Sequence, residues 1–270
     1  MQKPFREKKN NLFFILLLIL LGCVIYSNTF FCSFHFDDIK SITENPSLKD
    51  ISALKAIWDF WPTRFLTYIS LALNYHFHRL NVFGYHLVNL LIHLCSGILV
   101  WWLALLTFSA PVLKEKKLKQ NARLAAFFTA LIFVTHPLGT QSVTYIVQRA
   151  VSLASLFYLL SLCLYIKSRL LQQGKEKSTR REGWYYLGSL LAAVLAMFTK
   201  EMTITLPFMI LLYENYFLKE KKMPWKTLAP FLAALVIIPI TMALTKEVNF
   251  AQMHRVIEVN PVNISLGNIF

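Results

Sequence analysis

Long apolar runs, interrupted by short clusters of Lys and Arg, constrain this chain more than any other feature. FFILLLILLGCVIY, LVNLLIHLCSGILVWWLALL and LAALVIIPITMAL are too continuous for the faces of a soluble core. With 56% hydrophobic and 16% charged residues, the 270-residue chain reads as an all-α polytopic membrane protein. Its formal charge of +14 would by itself suit nucleic acid. The basic residues instead sit between apolar runs, and no basic helix interleaved with aromatics faces water, so the charge is read as topological and nucleic acid is excluded as a partner.

The four cysteines form no CxxC pair, which argues against a disulfide framework or a cysteine metal site. The start, MQKPFREKKNNLFFILLLILLGC, has the look of a lipoprotein signal, but the apolar run continues past Cys23 and further runs follow. An uncleaved first helix is the simpler expectation.

Basic clusters at Lys3 to Lys9, Lys114 to Arg123, Lys167 to Arg181 and Lys219 to Lys226 hold most of the 28 Lys and Arg. The positive-inside rule places all four in the cytoplasm, so each interval between them must contain an even number of crossings. The expected spans are Leu12 to Thr29, Phe83 to Phe108, Leu124 to Thr135, Val151 to Ile166, a run from Trp184 to Phe217 folded once at Lys200 and Glu201, and Thr227 to Leu244. That makes about seven crossings at about 20 residues each, some of them short, with the N-terminus inside. Residues 1–245 form the expected membrane core, and 246–270 an external tail.

The first external loop, from about Phe30 to Asn81, carries structure of its own. In ISALKAIWDFW, Ile51, Leu54, Ile57, Trp58 and Trp61 share one helical face, with Asp50 as a candidate N-cap. RFLTYISLALNYHFH is apolar but short for a span. Both read as helices lying in the membrane interface. The same outer face collects ionisable groups: FHFDDIK with Asp37 and Asp38, THPLGTQSVTYIVQRA with His136, Gln141 and Arg149, and FTKEMTIT with Lys200 and Glu201. Plainer readings stand beside a site: the two Asp residues as loop solvation or caps, His136 as a helix stop, Arg149 as an interfacial anchor, and Lys200 with Glu201 as a turn pair. Their convergence on one membrane face favours a concave external site.

In order along the chain, FDDIKSITENPSLKD, RFLTYISLALNYHFHRLNVFGYHLVNLLIHL, THPLGTQSVTYIVQRAVSLASLFYLLSLCLY and TKEMTITLPFMILLYE resemble the amino-terminal membrane region of the transmembrane and tetratricopeptide-repeat-containing O-mannosyltransferases and their bacterial relatives. The resemblance covers residues 11 to 245. It implies a GT-C glycosyltransferase core, with about seven transmembrane helices and two interfacial helices in the first external loop, in a plasma or inner membrane. It also implies an inverting sugar transfer from a polyprenyl-phosphate donor at the external face, in the service of protein glycosylation, with protein Ser or Thr hydroxyls as candidate acceptors. Asp37 and Asp38 match the acidic pair after helix 1, one of them expected as general base. Arg64, Arg149 and Lys200 are expected near the lipid phosphate, and His136, Gln141 and Glu201 around the substrate.

Where relatives often carry Glu, this chain has Gln141, so no metal ligand is assigned and a divalent cation is left open. No tetratricopeptide repeat of about 34 residues appears. The chain is therefore expected to be the catalytic core without its variable half. A noncatalytic membrane scaffold or a degenerate fragment is the alternative. A transporter fits less well, because the ionisable residues gather at one face rather than near the midplane.

Overall fold

A computed structural model describes residues 4–113, 121–173, 179–218 and 223–244. The external tail expected for 246–270 lies outside the described residues, as do parts of the basic clusters. Among the described residues the fold is helical throughout: α1 (Pro4–Ile25), α2 (Leu54–Phe60), α3 (Phe65–His78), α4 (Val82–Phe108), α5 (Ala122–Thr135), α6 (Thr140–Thr144), α7 (Arg149–Gln172), α8 (Thr179–Met197), α9 (Leu206–Tyr213) and α10 (Trp225–Ala234).

Among the described residues three helices are long and apolar enough to cross a membrane: Val82–Phe108, Ile146–Gln172 and Trp225–Leu244. A fourth follows if Ala122–Thr135 and Pro137–Thr144, bent by 53°, act as one broken span, and Asn11–Ile25 is a shorter apolar helix. The bend has a local cause. Pro137 has no N–H to give, His136 turns extended, and its Nδ1 accepts the Leu138 N–H at 3.2 Å instead.

Small residues let α1, α4 and α5 pack closely. A Cβ on Gly22 would lie 2.4 Å from Leu94 Cδ2, and one on Gly97 2.4 Å from Val134 Cγ2. Helices α7 and α8 are joined where Ser161 donates to the Ser189 carbonyl at 2.9 Å and Ser189 to that of Ser161 at 2.7 Å. The Trp184 to Phe217 run breaks, as expected, around Lys200 and Glu201, between α8 and α9. It holds a further charge that marks no turn at the surface. Glu214 is buried, its Oε1 2.5 Å from Arg169 Nε and accepting the Tyr165 hydroxyl at 2.7 Å. A carboxylate so deep is tolerable because it is paired and hydrogen-bonded.

The first loop folds into a small core, in which Ile42, Leu48, Ile57, Tyr68 and Leu71 are buried with Tyr85 of α4. Helix α3 covers the expected segment. Helix α2 starts later than the Asp50 cap implied: Asp50 Oδ1 accepts the Ser52 N–H at 2.9 Å and its hydroxyl at 2.6 Å, closing a turn ahead of the helix.

Candidate active site

Two segments far apart in sequence are latched together beside Asp37. The Leu66 N–H donates to the Phe198 carbonyl at 3.0 Å, and the Thr67 hydroxyl to that of Thr199 at 3.1 Å. The turn that carries Lys200 and Glu201 is therefore fixed against the start of α3. Glu201 Oε1 accepts the Thr63 hydroxyl at 2.7 Å and lies 3.5 Å from Arg64 Nε. Thr63 in turn accepts the Trp61 indole N–H at 2.9 Å, and the Arg64 guanidinium lies 4.6 Å over the Trp61 ring. One carboxylate thus orients a cation and an aromatic wall.

The cavity so bounded has a volume of about 440 Å³ and is lined by Asp37, Lys40, Arg64 and Lys200, with Trp61 and Tyr68 among its walls. Burial, and then the neighbouring Arg64, hold the Lys200 ammonium below its ordinary value, with Glu201 opposing. Burial alone would push the Glu201 carboxyl up, but Thr63, a backbone N–H and Arg64 together bring it below 4.5. The cations therefore destabilise one another in a setting ready for an anion.

Asp37 and Asp38 separate sharply. Phe36 takes a left-handed conformation at φ 50°, a strained choice for a bulky residue, and the next two side chains diverge. Asp38 is fully buried, its Oδ1 accepting the Val147 N–H at 2.8 Å and its Oδ2 the His35 N–H at 3.3 Å. Burial holds its carboxyl above 3.8 against the pull of those bonds. Asp38 is a tie between the first loop and the segment before α7, not a group open to substrate. Asp37 is exposed on the cavity, its backbone N–H donating to the Tyr145 hydroxyl at 3.1 Å while the Tyr145 ring stacks on His35.

Arg149 is a second correction. It is fully buried and donates to Asn89 Oδ1 at 2.7 Å, the Ser70 carbonyl at 3.1 Å and the Tyr85 carbonyl at 3.0 Å, clasping α3 and α4 to α7. It lines no part of the cavity, so neither the phosphate contact nor the headgroup anchor describes it. His136 borders a different cavity, Gln141 is exposed and borders neither, and Glu201 acts through Thr63 and Arg64. Trp61 was expected only on the face of an interfacial helix, and Lys40, Thr63 and Tyr145 were not among the expected site residues. Only the spacing of Lys40 from Asp37, three residues and so within one turn, signalled any of them. Among the described residues no group of three or more His, Cys, Asp or Glu is placed to hold a metal ion.

No protein-family model matches the chain, and no solved structure matches it. Curated proteins do. The chain is 33% identical over 227 residues to the protein O-mannosyl-transferase Tmtc3 of Drosophila melanogaster, an alignment covering 74% of this chain and 24% of that protein. It is 33% identical over 217 residues to the protein O-mannosyl-transferase TMTC2 of Mus musculus, covering 75% and 24%. It is 28% identical over 251 residues to the protein O-mannosyl-transferase TMTC3 of Homo sapiens, covering 87% and 25%. The chain is thus a homologue of the TMTC protein O-mannosyl-transferases across about three quarters of its own length, and it spans about a quarter of theirs.

Proposed function

We propose that residues 1–245 form the membrane core of a GT-C glycosyltransferase. It transfers a mannosyl-type sugar from a polyprenyl-phosphate donor to an acceptor hydroxyl, the Ser or Thr of a protein, on the external face. The core crosses the membrane about seven times, with its N-terminus in the cytoplasm and α2 and α3 in the external interface. The names of the relatives support the reaction class, and the positive-inside distribution supports the orientation.

The observation that carries the reading is one cavity in which an exposed carboxylate, Asp37, meets three cations, Lys40, Arg64 and Lys200. Asp37 accepts the proton of the acceptor hydroxyl as its oxygen bonds to the anomeric carbon. The bond from that carbon to the phosphate oxygen breaks on the opposite face, which inverts the centre. The electron pair leaves on the polyprenyl phosphate, whose growing charge Arg64, Lys200 and Lys40 meet. Trp61 offers a flat apolar face beside them, and Glu201 keeps Arg64 in place.

Transfer of labelled sugar from polyprenyl-phosphate mannose to a Ser/Thr peptide tests the reaction. Asp37→Asn is expected to lower the rate by roughly two to four orders of magnitude with donor affinity retained. Undiminished transfer in that variant removes Asp37 from the chemistry.

A further inference from the structure

A second cavity, about 500 Å³, opens between α4, α5 and α7, with His93, Ser96, Thr129, His136, Ser152 and Ser155 among its walls. It shares Val100, Phe133 and Ser155 with an adjoining, more apolar hollow of about 440 Å³ that runs toward Met202. No Lys, Arg, Asp or Glu lines either one among the described residues. Thr129 and Ile132 are exposed at its edge on α5, an apolar helix of the bent candidate span, so the opening faces where lipid would lie.

The polar atoms of this cavity both donate and accept: His136, whose Nδ1 accepts the Leu138 N–H, keeps its proton on Nε2, and the Ser142 and Ser155 hydroxyls also line the wall. Ser96 donates its hydroxyl proton to the Ile92 carbonyl at 2.9 Å, Thr129 to that of Ala125 at 2.9 Å, and Ser152 to that of Ser142 at 3.0 Å. Each hydroxyl has spent its single donor and keeps lone pairs. His93 is 4% exposed, within a candidate span. Where α5 ends, the Val134 carbonyl loses its helical partner, because the Leu138 N–H is turned to His136, and the ring of His93 approaches that carbonyl with Nε2 at 3.1 Å. A carbonyl only accepts, so Nε2 carries the proton. Nδ1, without a partner among the described residues, is left as an acceptor on a ring that lines the cavity.

An uncharged hollow with both donors and acceptors, beside an apolar one, selects its occupant. A phosphate or carboxylate would be buried with no cation to meet its charge, and an ammonium without a counter-charge. Hydroxyls, which both donate and accept, on an apolar tail satisfy both parts. We infer that the cavity at His93, Ser96, Thr129 and Ser152 is a binding site for a neutral, hydroxyl-headed lipid of the monoacylglycerol class, separate from the charged cavity at Asp37.

The full chain, purified in an amine-oxide detergent that has no hydroxyl, is labelled with a diazirine-bearing monooleoylglycerol, and the labelled peptides are mapped. Labelling of α4, α5 and α7 that saturates and is displaced by unlabelled monooleoylglycerol is expected, with lysophosphatidic acid of the same tail and free glycerol ineffective. The double variant Thr129→Val, Ser155→Ala is expected to weaken binding roughly tenfold, about two neutral hydrogen bonds, with thermal unfolding unchanged. Equal displacement by lysophosphatidic acid overturns the inference, as does labelling that never saturates or is undiminished in the double variant. Displacement by free glycerol overturns the assignment to a lipid.

Discussion

Asn at position 38 replaces one of two carboxylate oxygens, both of which accept backbone N–H groups in a fully buried site. The shorter bond, 2.8 Å from Val147, is expected to keep the remaining oxygen, which sets the new amide N–H₂ against the His35 N–H. Losing a hydrogen bond to a charged group costs about 1.5–3 kcal/mol, and relief from burying a charge returns part of that, leaving roughly 1–2 kcal/mol. For a chain of this size each kcal/mol moves Tm by about 2–4 °C, so Asp38→Asn should unfold about 2–8 °C earlier. Asp37→Asn, on an exposed side chain, should stay within about 0.5 kcal/mol of the parent. Thermal unfolding of both variants in one detergent measures the contrast. There is also a pH signature. Because burial holds the folded Asp38 carboxyl above 3.8, the folded state takes up its proton first as pH falls toward that value. The parent gains stability there, and Asp38→Asn lacks that gain. Equal melting temperatures for the two variants would refute the division of labour between the neighbouring acids.

Arg149→Lys cannot reach three acceptors spread over two helices, so it should melt well below the parent while donor affinity stays unchanged. A selective loss of affinity with unchanged melting would return Arg149 to the substrate. Glu201 has the opposite acid behaviour to Asp38. Its folded carboxyl lies below 4.5, so the stability it contributes is present above that value and is lost as pH falls through the folded pKa. The melting difference between the parent and Glu201→Gln should therefore shrink below about pH 4.5, and a difference constant across that window would count against the Thr63–Glu201–Arg64 clamp.

The helical class, the short apolar segment that became α3, and the clustering of charge at the turn after α8 were legible because each rests on local periodicity or composition. Similarity to the TMTC protein O-mannosyl-transferases was legible from four ordered motifs. What stayed hidden depended on distant partners. Arg149 read as a free cation at a helix start, but its acceptors lie 60 to 79 residues away, and no local pattern announces them. Glu214 was passed over inside an apolar run because its partner Arg169 is 45 residues off. The two adjacent Asp residues are equivalent in one dimension; a left-handed Phe36 and a hydrogen bond across 109 residues to Val147 make one structural and leave the other facing the cavity.

Equilibrium binding of polyprenyl-phosphate mannose to the purified chain, compared among the parent, Arg64→Ala, Lys200→Ala and Arg149→Lys, tests most directly whether the cavity at Asp37 holds a phosphate-linked donor. Saturable binding is expected, weakened roughly 10- to 150-fold by each of the first two changes, about the worth of a hydrogen bond to a charged group, and unaltered by the third. Absence of saturable binding, or equal affinity in the parent and both cavity variants, would contradict the assignment.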